Sequence, residues 1–129
     1  MNPLRVIAAV LMSLGMFSPA LAGSSGSLDG KTFEVTAGLE GDTQGYADTL
    51  VYSGGTFRSV ACDEFGFEGA AYRTEKKDAA TVFTSTSKSK TDGVAEWRGI
   101  VKDGAIEGSF VWIKDGKKAT YWLKGSTKG

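Results

Sequence analysis

From Leu28 onward, apolar and polar residues alternate with a period of two, broken at short intervals by turn-forming residues. In the first segment Phe33, Val35 and Ala37 alternate with Thr32, Glu34 and Thr36. Such a period places one set of side chains on each face of a β-strand. Eight strands are expected on this basis: Lys31–Gly38, Ala47–Tyr52, Thr56–Ala61, Ala70–Glu75, Ala79–Ser87, Val94–Val101, Ala105–Ile113 and Lys118–Ser126. Between them stand Ser53-Gly54-Gly55, Lys77-Asp78, Asp92-Gly93, Asp103-Gly104 and Asp115-Gly116. Asp-Gly between alternating segments signals a two-residue hairpin, because both central residues need positive φ. The longest helix candidate, Asp63–Lys77, contains Gly66 and Gly69 and lacks a continuous apolar stripe.

The turns fix register, and register tests the strands. With Asp103-Gly104 at a hairpin tip, Val101 faces Ile106, Gly99 faces Gly108, Trp97 faces Phe110 and Ala95 faces Trp112. With Asp115-Gly116 at the next tip, Trp112 faces Ala119, Phe110 faces Tyr121, Gly108 faces Leu123 and Ile106 faces Gly125. One apolar face therefore runs across three strands, with Glu107 opposite Lys124 on the other. A slip of one residue would invert every side chain. Upstream, Tyr52 is expected to face Phe57, Tyr72 to face Phe83 and Thr74 to face Thr81. Trp122 falls on the outer face with Ile100, Val111 and Ile113, either as a partner surface or beneath the first loop.

One apolar and one wet face over eight consecutive strands predict an all-β fold. The expected architecture is an up-and-down antiparallel β-barrel of about eight strands, which removes the exposed edges of an open meander. The alternative is a two-sheet β-sandwich. In a meander the connections alternate between the two ends of the barrel. At one end all are tight; at the other lie the longer loops Leu39–Tyr46, Cys62–Gly69 and Lys88–Gly93. Binding residues concentrate on loops over a rigid scaffold, so the site is expected at this second end.

The start of the chain has a different pattern. Arg5 precedes a predominantly apolar run, Val6–Phe17; Pro19 breaks it, and Ala20-Leu21-Ala22 resembles a cleavage site. This predicts a signal peptide over residues 1–22, a disordered tail over 23–27 and a single barrel domain over 28–129. The product would be exported, to the periplasm or beyond, with no membrane span. Without Arg5, the 15 cations fall one short of the 15 anions, a net charge of −1, and no basic stripe exists. Both features argue against nucleic acid as a partner.

Composition narrows the chemistry further. There is no histidine, which removes the commonest general base and the commonest metal ligand. No catalytic constellation, metal-ligand spacing or cofactor motif is present, so binding is expected rather than catalysis. Asp42, Asp48, Asp63 and Glu64 lack calcium-loop spacing. The single cysteine, Cys62, stands beside Asp63 and Glu64, which disfavour its thiolate. The candidate ligand residues at the longer-loop end are Asp48, Tyr72, Trp97, Trp112 and Tyr121 from the inner face. Asp63, Phe65 and Phe67 join them from the third loop. Aromatic walls with few polar groups suit a small apolar or aromatic ligand. The same rings could equally fill a barrel of this size as core. An alternative role is a protein-interaction or inhibitor module, acting through the Cys62–Gly69 loop with Phe65 and Phe67 at its tip, or through the outer Trp122 patch.

Several motifs carry a resemblance: Leu28-Asp29-Gly30-x-x-Phe33, Asp48-Thr49-Leu50, Gly55-x-Phe57-x-Ser59-x-x-Cys62, Trp97-x-Gly99-x-Val101, Ile106-x-Gly108-x-x-x-Trp112 and Tyr121-x-x-x-Gly125. With them the chain resembles small secreted bacterial proteins related to the lipocalin-like, or calycin, barrels. The resemblance implies an up-and-down barrel binding a small molecule in its mouth. It departs from lipocalins in lacking Gly-x-Trp on the first strand, where Gly30-Lys31-Thr32-Phe33 stands instead.

Overall fold

The computed structural model describes residues 27–128; the expected signal segment and residues 23–26 of the expected tail lie outside them. Eight antiparallel strands form a closed barrel in sequence order. They are β1 Thr32–Leu39, β2 Tyr46–Ser53, β3 Thr56–Ser59, β4 Ala70–Lys77, β5 Ala80–Ser89, β6 Gly93–Lys102, β7 Ala105–Lys114 and β8 Lys117–Thr127. β8 closes on β1 through a continuous ladder from Phe33↔Thr127 to Leu39↔Tyr121. The meander is therefore a barrel and not a two-sheet sandwich.

The two Asp-Gly hairpins are formed as their chemistry requires. Asp103, Gly104, Asp115 and Gly116 all have positive φ. Short Asp side chains tolerate this left-handed conformation. The expected pairings of β6 with β7 and β7 with β8 are all present. Trp97, Phe110, Trp112 and Tyr121 accordingly lie inward, while Trp122 lies outward. The inner-face glycines allow close strand approach: a Cβ on Gly99 would overlap the Phe83 ring, and one on Gly125 the Glu34 carbonyl.

The β4–β5 hairpin differs from its expectation by two residues. Its tip is Asp78-Ala79, so Tyr72 pairs with Ser85 and Thr74 with Phe83. Asp78, at φ 56°, takes the left-handed position one residue later than Lys77-Asp78 implied. A shift of two preserves which face each side chain occupies, so the inner face survives the error.

A second difference matters more. β3 stops at Ser59, and Val60–Phe65 forms a 3-10 helix where the alternation continued. Local hydrogen bonds account for it. The Asp48 carboxylate accepts from the Ala61 N–H at 2.8 Å and from the Ser59 hydroxyl, satisfying donors at the helix start. Gly66, at φ 82°, ends the helix, its N–H bonded to the Asp63 carbonyl. β3 then pairs with β4 through Thr56↔Ala71 and Phe57↔Ala70, so β4 begins low in the barrel. The segment 60–69 completes the wall above that seam.

The longer loops mark the end called here the mouth, although the third of them is a tight turn, Lys90–Asp92, because β5 reaches Ser89 and β6 starts at Gly93. The opposite end, the base, is plugged by the chain preceding β1. Leu28 is buried in the core, and its N–H donates to the Tyr72 hydroxyl at 2.9 Å. That hydroxyl donates to Asp29 Oδ1, and the Asp29 carboxylate also accepts from the Gly55 N–H. Above the plug, Phe33, Tyr52, Phe57 and Phe83 are fully buried in edge-to-face and tilted contacts. Outside the barrel, Trp122 lies under the first loop. Its Nε1–H donates to the Asp42 carbonyl at 2.9 Å.

Candidate functional site

The base is filled; the mouth is not. A cavity of about 310 Å³ opens between the 3-10 segment and strands β6, β7 and β8. Its walls are Tyr46, Phe65, Phe67, Phe110, Trp112 and Tyr121, with Ala61, Cys62, Glu64 and Ala95. Aromatic stacking sets the floor. Trp97 stacks on Phe110 at 4.1 Å between centroids, and Phe110 on Tyr121 at 4.7 Å with rings 4° from parallel. This column follows directly from the register, since the three residues lie side by side on β6, β7 and β8.

Small residues make the room. Ala95 faces Trp112 across β6 and β7, and Ala119 faces it across β7 and β8. Trp112 is anchored by its Nε1–H, which donates to the Asp92 carbonyl. Phe65 leans on Trp112 at 5.5 Å and Phe67 meets it edge-on at 6.5 Å. Phe67 is buried, whereas Phe65 and Tyr46 are each 39 % exposed and form the rim.

Four of the expected ligand residues line this cavity: Trp112, Tyr121, Phe65 and Phe67. Four do not. Tyr72 belongs to the base plug, because the late start of β4 drops it to that end. Trp97 is buried beneath Phe110. Asp48 is buried too, its oxygens occupied by Thr49 N–H, Ala61 N–H and the Ser59 hydroxyl, so it braces the wall. Asp63 turns outward to a bidentate pair with Arg58. Tyr46, Glu64, Ala95 and Phe110 line the cavity without having been among the expected ligand residues. Ala95 and Phe110 were readable from the register opposite Trp112 and Tyr121. Tyr46 and Glu64 sit where the alternation breaks down, and no periodic signal marks them.

Two groups of the cavity, the Cys62 thiol and the Tyr46 phenol, are favoured in their neutral forms. Burial pushes the Cys62 thiol above its ordinary pKa, and the charges of Asp48 and Asp63 add to the effect. The Tyr46 phenol is also raised, first by burial and then by the negative forms of Cys62 and Asp48. Neither group is activated as a nucleophile or base. Among the described residues, no three His, Cys, Asp or Glu side chains cluster as metal ligands, and no helix is long and apolar enough to cross a membrane.

Compared with known proteins, the chain matches no protein-family model, no curated protein and no solved structure. What fold and site define is a closed eight-stranded up-and-down barrel with a filled base and an aromatic pocket in its mouth.

Proposed function

We propose that this protein is an exported binding module for a small apolar or aromatic molecule, of lipocalin-like type, and not an enzyme. The observation that carries this reading is the aromatic pocket of about 310 Å³ over an otherwise filled barrel. That volume lies at the lower end of small-molecule sites, roughly 300–1,000 Å³. It suits a ligand of one or two rings. Export rests on the leader pattern of residues 1–22, and the barrel supports the calycin resemblance at the level of architecture alone.

Titration of intrinsic tryptophan fluorescence with a panel of aromatic metabolites, fatty acids and tetrapyrroles tests the reading, because Trp112 lines the pocket. Binding of a compact aromatic ligand, abolished by Trp112→Ala, is the expected result. The reading fails if no panel member perturbs the fluorescence or displaces an apolar dye.

A second reading keeps the Cys62–Gly69 loop as a protein-binding element, favoured by the exposure of Phe65 at the rim, though Phe67 at the same tip is buried. Phe65 packed on Trp112 sits more naturally as a pocket wall. Replacing Phe65 with Ser separates the two: it weakens small-ligand binding in the first reading and only protein association in the second.

A further inference from the structure

The pocket wall carries a single charged residue, Glu64, among rings and small apolar side chains. Three other acidic groups at this end are engaged. Asp48 accepts three hydrogen bonds, Asp63 pairs with Arg58, and Asp92 pairs with Lys114 at 2.7 Å. Glu64 has no ion-pair or hydrogen-bond partner among the described residues. Lys114 is paired with Asp92, and Lys117 and Lys118 line an adjoining groove on the far side of Trp112 and Tyr121 rather than the pocket itself. Six of the ten wall residues are aromatic. Aromatic faces present negative charge to a guest, and desolvated rings bind ammonium groups favourably. A cationic guest in this pocket would share its wall with the exposed, unpaired Glu64 carboxylate, which offers it a counter-charge.

We infer that the ligand is an organic cation: a compact apolar or aromatic body bearing one ammonium-type group, caged by Tyr46, Phe65, Trp112 and Tyr121 and paired with Glu64. This rests on the small-molecule reading above and specifies its ligand. The rings discriminate by their quadrupole and Glu64 by its charge, so the two contributions are separable by substitution.

Three probes with the same tetrahedral head on one phenyl ring make the test: phenyltrimethylammonium, tert-butylbenzene and benzenesulfonate, titrated by tryptophan fluorescence at low ionic strength and neutral pH. The cation is expected to bind roughly tenfold tighter than its neutral isostere, and the sulfonate more weakly than either. Glu64→Gln should lower the affinity for the cation toward that of tert-butylbenzene, a several-fold loss that the neutral probe does not share. Because Glu64 is exposed and unpaired, the variant does not threaten the fold. If the neutral probe or the sulfonate binds as tightly as the cation, the charge assignment is overturned and the small-molecule reading stands. If none of the three binds, the cation assignment falls, and the wider panel decides the small-molecule reading.

Discussion

The two ends of this barrel are built from the same alternating strands and differ in what occupies the inner positions. At the base, rings from β1, β2, β3 and β5 meet in one cluster, closed by Leu28 and the hydrogen-bonded pair Tyr72–Asp29. At the mouth, Ala95, across the ladder from Trp112, and Ala61 line the pocket with it. One end therefore stabilises the fold by packing, and the other gives up packing to hold a guest. The closed ladder makes this division affordable, since the mouth needs no core of its own to stay in place.

The sharpest way to break the comparison is truncation at each end. Phe57 is fully buried against Tyr52, Phe83 and Trp97. Phe57→Ala should cost about 3–5 kcal/mol in urea denaturation. Trp112→Ala, at a half-buried ring already facing a cavity, should cost under about 2 kcal/mol. Equal losses would mean that the mouth is as much core as the base.

Filling the pocket sharpens the same contrast. Ala95→Leu places extra carbons into open space rather than into packed rings, so the melting transition should move by less than about 1 kcal/mol equivalent. Probe binding should disappear. A large destabilisation would show that the cavity closes around alanine in solution.

The thiol reports the environment of the pocket. With its pKa raised by burial, Cys62 should react with iodoacetamide at pH 8 several-fold more slowly than glutathione, by roughly the ratio of thiolate fractions. A bound ligand should slow it further. Reaction at the glutathione rate would place Cys62 outside the cavity.

The smallest effect belongs to the Asp92–Lys114 pair at the mouth. The Lys114 hydrogen bond is the main cause holding the Asp92 carboxyl below its ordinary pKa, with the Thr91 hydroxyl contributing. A lowered folded-state pKa stabilises above the unfolded value and loses that stabilisation as pH falls through the folded one. Lys114→Met should therefore weaken the protein slightly at neutral pH, and the difference should vanish under acid. As the pair is exposed, added salt should shrink it as well. Midpoints of denaturation across that acid range check the sign.

Much of the fold was legible because hairpin chemistry and a period of two are local properties. The Asp-Gly tips alone placed Trp97, Phe110, Trp112 and Tyr121 inward and Trp122 outward. Even the two-residue error at Asp78-Ala79 left the faces intact. Several motif residues that carry the resemblance have structural roles: Leu28 and Asp29 plug the base, and Asp48 with Ser59 starts the 3-10 helix. Four of the eight candidate residues lie away from the cavity: Asp48 and Asp63 are held by local partners, Trp97 lies beneath Phe110, and Tyr72 joins the base plug. Register within a hairpin is set by its turn, but the height of β4 relative to β3 is set by how the intervening segment folds.

The sequence by itself determined most of the strands and their inner and outer faces, because these follow from alternation and from residues that tolerate positive φ; closure came from the β1–β8 ladder. Only the tertiary structure decided where the barrel is full and where it is empty. That depends on shear between strands, on the Asp48 carboxylate reaching the Ala61 N–H thirteen residues away, and on rings stacking across three strands. Packing is a property of neighbours in space, and at the mouth those neighbours come from the 3-10 segment and from β2, β6, β7 and β8 together.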